Sequence, residues 1–523
     1  MNIKTKKFLL FFLLMNFGLQ AQIQKISELS SNKFLDSKII YDDNGDDVWG
    51  YFLLYQSDKK SKSVLELEFV VLDKNLNKVG SNSFQQEFLN TWLFSAYPTI
   101  DYLKKRNDEL IIAIDFEDII DFGSYFFKKV DLKNFSVSSG YYSRNGKIIY
   151  DENIIEKFER KNVLPDFFLP ISNQGFIKYE REFKGKNELS GITQFEKSSI
   201  IGYSFYDLDL NKKWEIKYNM SKDYGEDHFR EIASENYLII NKQFYGKAYK
   251  GKSKYFYEVK DIVTGNEIFS IPRDDDKYTY SKSKIFFQNQ KVYIFEKVFK
   301  FHPDSEFKHS ECLGISKRVY DIETKALTEQ KFMFWTDLSP FYEITKNGKL
   351  KGDFIHFLDF KVTTNGKTVV VGEGFNPGQS TAIKNFYTLI LDKEFKVESF
   401  KEIGKQKNTI NDYSAYGNAL ENNGLFDYMY SQKMKSDEFV YFYGDNEVKR
   451  GFLNTIIPEV SEVLPDNWVL GIVTFVDGEF KNQKIKLKTK KGKIHPLKAK
   501  KGYIILQEVT KSDIEIRLEK IDY

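Results

Sequence analysis

Between Phe354 and Ser399 the chain reads FIHFLDFKVTTNGKTVVVGEGF, then a loop, then FYTLILDKEFKVES, and weaker versions of this unit recur along the sequence. Phe354, His356, Leu358 and Phe360 fall on one face of an extended segment, while Ile355, Phe357 and Asp359 fall on the other. A pleated strand imposes that period of two, and with both faces largely apolar the strand is expected to be buried on both sides. The Asn365-Gly366 pair accepts the positive φ angles of a tight hairpin turn, and Thr368 to Val371 returns as a β-branched strand. The second hairpin turns at Asp392, whose side chain is able to bond the backbone two residues on. Two hairpins in succession predict a four-stranded antiparallel unit.

The turn is the clearest repeated element. LDKNLNKV at Leu72 to Val79 parallels LDKEFKV at Leu391 to Val397, and DLDLNKK at Asp207 to Lys213 is a third occurrence. Related turns stand at Asp131 to Asn134, Thr264 to Asn266, Asp321 to Thr324 and Asp477-Gly478. Most follow one another at about 50 to 85 residues, a spacing that fits four strands per repeat. A four-stranded unit with two apolar faces has to stack on neighbours to bury them. The expected fold is therefore all-β and β-propeller-like, with about six to eight four-stranded antiparallel blades and irregular loops. With only 10 Pro and no Gly/Ser tract, no flexible linker is visible, so residues 22–523 read as a single repeat-built domain. Short helices are expected at Asn153 to Arg160 and Asp227 to Ser234.

Residues 1–21 read as a signal peptide. Lys4, Lys6 and Lys7 form a basic start, Phe8 to Met15 an apolar core too short to span a bilayer, and Gly18-Leu19-Gln20-Ala21 precedes Gln22 as the cleavage site. Removing those lysines removes the formal net charge of +3, so the basic pI carries no implication of nucleic-acid binding. The lone cysteine, Cys312, cannot form an internal disulfide, and its expected place is in the core.

The repeated strand-Leu-Asp-Lys units, the GLQAQ ending of the signal, FYDLDLN at Phe205 to Asn211, FIHFLDF at Phe354 to Phe360 and the closing RLEKI at Arg517 to Ile521 carry a likeness. On them the chain resembles a family of uncharacterised exported Bacteroidetes proteins with β-propeller-like repeats. The resemblance implies a fold and an exported protein, and no site. Because a repeat strand reaches Tyr523, leaving no separate sorting domain, the periplasm is the expected location ahead of the cell surface.

Motifs with chemistry are few. His302, Asp304, Glu306 and His309, beside Cys312, gather ligands suited to zinc, but His302 and His309 stand seven apart and match no zinc motif. The default for that stretch is a polar loop. Asp42, Asn44 and Asp46 lie in an acidic turn suited to calcium, although Asp47 and Leu53 occupy the places where an EF-type loop needs Gly and Glu. A charged hairpin turn is the default there too. No cofactor is expected; calcium and zinc stay open as alternatives.

Gly372 to Gly378 suggests a phosphate cradle, yet no helix follows it, so a loop at a blade end is the expectation, with Glu373 and Asn376 as ligand-binding candidates. In Lys481 to Lys501 lysine alternates with apolar residues, as on a solvated outer strand that resists edge pairing, and Lys486 and Lys488 are candidates for a polyanionic partner. Gly-x-Ser-x-Gly is absent, and only His228, His302, His309, His356 and His495 offer an imidazole. His356 reads as a satisfied buried histidine.

The functional expectation is an exported, non-catalytic binding or scaffold protein of the cell envelope, monomeric, with an envelope glycan or protein as partner. The alternatives are a glycan-directed hydrolase or lyase with axial carboxylates, and an envelope-associated structural protein. Two carboxylates about 5 to 10 Å apart across a mouth would favour the enzyme, whereas a mouth of scattered Tyr, Asn and Lys would favour the binder.

Overall fold

The computed structural model describes residues 22–523 except 44, 46, 62–63, 88–97, 117–125, 139–140, 145–146, 151–167, 172–173, 190–191, 218–223, 234–235, 246–253, 276, 301–310, 379, 411–416, 447–466, 489–491, 511–512 and 522–523. The described residues form eight small antiparallel sheets of four to six strands, the blade architecture of a β-propeller, so the expected class holds at the upper end of the expected blade number. The sheets follow chain order: 33–87, 98–150, 168–217, 224–272, 278–334, 349–410, 428–488, and a last one in which Gln22–Lys25 pairs with Ile514–Lys520.

The chain divides into two compact units. One holds residues 1–113, 128–138 and 488–523, and the other holds 114–127 and 139–487. In the first unit, Tyr51, Leu53, Tyr55 and Val70 of the 33–87 sheet and Ile26 of the short helix Ile26–Leu29 pack with Ile505, Ile516 and Leu518 of the last sheet. The strand Gln22–Lys25 completes a sheet built from the C-terminal strands, a pairing between distant segments that sequence patterning does not reveal.

In the second unit, five successive sheets from 168 to 488 pack each on the next. Phe205 and Ile240 share one apolar cluster, Val259 and Ile294 another, Phe295 and Phe360 a third, and Phe386 and Tyr443 a fourth. Ring pairs mark the tightest points: Phe295 stacks on Phe360 at 4.8 Å and Phe386 on Tyr443 at 4.7 Å. The strand Asp353–Val362 is buried continuously from Asp353 to Phe360, as two apolar faces require.

The aspartate turns have one job. Asp73, Asp207, Asp261 and Asp321 each end the third strand of a four-stranded sheet, Asp392 directly follows the strand Thr381–Leu391, and each side chain accepts backbone N–H groups of its turn at 2.7–3.0 Å. The chain then reverses through a residue of positive φ: Leu76, Leu210, Gly265, Lys325 and Phe395 at 57° to 71°. Of the Asn365-Gly366 pair only Gly366 takes positive φ, at 84°.

Two local expectations are corrected. Of the helix expected at Asp227 to Ser234, the described residues 227–233 are no helix; Tyr224–Ala233 is a strand paired with Tyr237–Tyr245, because sheet pairing with a neighbour outweighs weak local propensity. Gly372 to Asn376 is no loop but the end of the strand Thr368–Asn376. A Cβ at Gly372 would meet the His356 carbonyl oxygen at 2.4 Å, so the glycine serves close strand approach. The helix expected at Asn153 to Arg160 lies outside the described residues.

Candidate functional site

In the second unit a groove of about 350 Å³ opens beside the hairpin turn Gln288–Asn289, with Tyr293, Lys317 and Glu329 on one wall and Val362, Thr363, Thr364, Gly366 and Lys393 on the other. Asn289 and Gln290 both take positive φ, 51° and 57°, which turns the chain sharply at its rim. The Tyr293 ring stacks on Phe286 at 5.3 Å, and Lys317 sits 5.8 Å over it while holding Glu329 at 2.9 Å. Thr363 donates to Asn365 Oδ1 at 2.6 Å. Lys393 is different: its side chain is 74% exposed and its approach to Glu394 is 3.7 Å. The groove thus offers amide, hydroxyl and phenol groups and one solvated ammonium.

Deeper in the same unit, charged side chains are buried inside the blades. Arg318 grips Glu296 with two parallel bonds, Nε at 2.7 Å and the second guanidinium nitrogen at 3.0 Å, and lies over the Tyr280 ring. Lys405 bridges Glu373, at 2.9 Å, and Asp427, and Glu373 also accepts the backbone N–H groups of Asp427 and Tyr428. Burial alone would lower the Lys405 amine, but the two carboxylates hold it above its ordinary value. Burial pushes the Glu373 carboxyl up, against the pull of Lys405.

A second lysine is treated oppositely. Lys297 Nζ lies 2.7 Å from His356 Nδ1 and 2.5 Å from Asn418 Oδ1, and His356 Nε2 lies 2.8 Å from Glu421 Oε2. Lys297 and His356 are buried, and Glu421 is one-third exposed. Burial lowers the Lys297 amine to about 8. Burial, with the Lys297 charge beside it, lowers the His356 imidazole to about 4. Cys312, nearby in the same core, is fully buried as expected, and burial pushes its thiol up to about 11.

The structure distributes the sequence candidates widely. Glu373 is fully buried in the Lys405 bridge, and Asn376 is exposed at the end of the same strand. Lys486 and Lys488 lie on Glu479–Lys488, the outermost strand of its sheet, where the alternation placed them. Around the acidic turn, Lys104 donates to the carbonyls of Asp42 and Asp43 at 3.2 and 2.9 Å, and Lys105 reaches the Asp43 carboxylate at 3.2 Å. An ammonium therefore sits against those carbonyls. Asn44, Asp46, His302, Asp304, Glu306 and His309 lie outside the described residues, and among the described ones no group of three His, Cys, Asp or Glu is placed to hold a metal.

Sequence patterning missed Lys297, Lys405, Asn418, Glu421 and Asp427. Its one usable signal was Glu296-Lys297 inside the apolar run KVYIFEKVFK, since a charge in a doubly buried strand demands a partner.

Among solved structures, the chain is similar to the WD40 domain of SCAP from fission yeast at 9% identity and a TM-score of 0.34, over 96% of this chain and 98% of that one. It is also similar to the polysaccharide lyase Uly1 at 9% identity and a TM-score of 0.37, over 96% and 100% of the two chains. The β-propeller domain of the Trilobed protease from Pyrococcus furiosus matches at 11% identity and a TM-score of 0.32, over 86% and 97%. No curated protein sequence matches the chain. Its residues 2–385 match the model of DUF6770, a family of unknown function, and the chain belongs to that family.

Proposed function

We propose that the protein is an exported, non-catalytic binding module of the cell envelope whose groove at 288–293, 317, 329, 362–366 and 393 takes a polar, hydroxyl-rich ligand such as a glycan segment. The observation that carries this reading is the character of the groove lining: Asn289, Tyr293, Thr363, Thr364 and Lys393 supply donors and acceptors in the pattern of a recognition surface. The buried carboxylates Glu373 and Asp427, by contrast, share the ammonium of Lys405 inside the blade, which weighs against this pair as glycosidase acid and base. The basic-then-apolar opening of residues 1–21 supports export.

The test is calorimetric titration of the chain from Gln22 onward with a panel of envelope oligosaccharides, alongside the Asn289→Ala/Lys393→Ala variant. Saturable binding that weakens at least about tenfold in the variant supports the module, a loss of about 1.4 kcal/mol. Release of shortened or unsaturated sugars during incubation would instead establish the hydrolase or lyase alternative.

A further inference from the structure

The two threonines of the groove have their hydroxyl hydrogens already committed. Thr364 is exposed, in the turn between the strands Asp353–Val362 and Thr368–Asn376. Its hydroxyl donates to Asp437 Oδ2, and its backbone N–H donates to Asp437 Oδ1 at 2.8 Å. An ionised carboxylate only accepts hydrogen bonds, so what Thr364 Oγ1 offers a ligand is a lone pair. Thr363, buried beside it, donates to Asn365 Oδ1 at 2.6 Å and reaches the Lys367 carbonyl at 3.1 Å, both acceptors too. On the opposite wall Glu329 is a further group that only accepts. The groove thus asks its ligand to donate hydrogens.

The charges around it are matched. Lys317 and Lys331 share Glu329 Oε1 at 2.9 and 3.4 Å, Lys367 holds Glu398 at 2.7 Å, and Lys393 has Glu394 at 3.7 Å. Among the described residues no ammonium pairs with Asp437, whose two oxygens take the Thr364 hydroxyl and N–H. Lys317, Lys331, Lys367 and Lys393 are therefore offset by Glu329, Glu394, Glu398 and Asp437, and the carboxylate without an ammonium stands directly behind Thr364.

We infer, resting on the glycan reading of the groove, that its ligand is a neutral sugar and that Asp437 is the positioning residue that sets this choice. A neutral sugar donates a hydroxyl hydrogen to Thr364 Oγ1 and accepts at a neighbouring oxygen from the solvated Lys393 ammonium. An ionised uronate or sulfate group at the same place has no hydrogen to give. It sets acceptor against acceptor at Thr364, and its charge meets that of Asp437, so it loses a hydrogen bond and gains a repulsion. Asp437 acts through Thr364: it fixes the direction of the hydroxyl hydrogen and supplies the negative charge behind it.

The experiment is calorimetric titration of the chain from Gln22 onward with the oligosaccharide panel extended by mannuronate and galacturonate trisaccharides. Each acidic sugar is paired with its own form in which every carboxylate has been reduced to a primary alcohol, so that shape and linkage stay the same. A neutral form is expected to bind at least about tenfold more tightly than its acidic parent. An acidic parent that binds as tightly as its neutral form, or more tightly, would overturn this inference and leave the glycan reading standing. Absence of saturable binding by every sugar, neutral and acidic, would remove both together. Asp437→Asn retains an acceptor for the Thr364 N–H and is expected to narrow the neutral-to-acidic ratio severalfold, chiefly through tighter binding of the acidic form. A merely structural role would weaken both forms alike, and an unchanged ratio would overturn the part assigned to Asp437. Thr364→Val, which removes the acceptor, is expected to weaken the neutral form severalfold, and undiminished binding there would overturn the contact.

Discussion

Lys405 and Lys297 lie in the same unit, both with buried side chains, and their surroundings drive them in opposite directions. Lys405 has two carboxylates on its ammonium; Lys297 lies 2.7 and 3.4 Å from the two imidazole nitrogens of His356 and against the amide oxygen of Asn418. Burial acts on both equally, so the sign of the shift is decided by whether the acceptors carry charge. A charged partner makes a buried lysine a structural rivet. Neutral partners leave burial free to lower its amine.

The largest expected effect tests the rivet. Lys405→Met strands Glu373 and Asp427 beside each other without a counter-charge, and should cost about 3 to 5 kcal/mol in urea unfolding. Lys297→Met removes an ammonium whose direct partners are neutral, and about 1 to 3 kcal/mol is expected. Equal losses would break the comparison.

Next comes the acid limb. The His356 imidazole is lowered in the folded chain from its ordinary 6.5 to about 4, so the unfolded chain takes up the proton first as pH falls. Its contribution is fully present above about pH 6.5 and is lost as the pH falls through about 4, a total of about 3 kcal/mol. Unfolding midpoints at pH 7, 5.5 and 4 should therefore fall steeply in the parent and less steeply in His356→Gln.

A smaller effect sharpens the geometry around the neutral pair. Gly417→Ala drives a methyl group against His356 Nδ1 and should cost about 1 to 3 kcal/mol in urea unfolding. Smallest is the exposed case: Lys393→Ala should move stability by less than about 0.5 kcal/mol while weakening ligand binding, as suits an amine solvated at a groove edge.

Much of the fold could be read from the chain because its signals are local. Alternation in FIHFLDF is a property of seven successive residues, and the structure buries all of them. The turns at Asp73, Asp207 and Asp392 share one geometry because an aspartate side chain reaches only its own neighbourhood. Where local signals were ambiguous the reading failed: DHFREIA has helix-forming residues, yet the blade pairs it as a strand. GEGFNPG looked like a loop because glycine was taken as a sign of turning when it marked close packing between strands.

The candidate sites were far less legible. Lys297 meets His356 59 residues away and Asn418 121 away, and Lys405 reaches Glu373 from the connection between Val397–Ile403 and Asn408–Ile410. The sequence by itself determined the strands, the aspartate turns and the repeat, since each follows from side-chain periodicity or short-range hydrogen bonding. Only the tertiary structure decided the eight sheets, the joining of Gln22–Lys25 to the C-terminal strands, and which buried lysine received charged partners. The physical reason is range: alternation requires only that a residue face inward, whereas the state of an inward charge depends on what non-local packing puts against it.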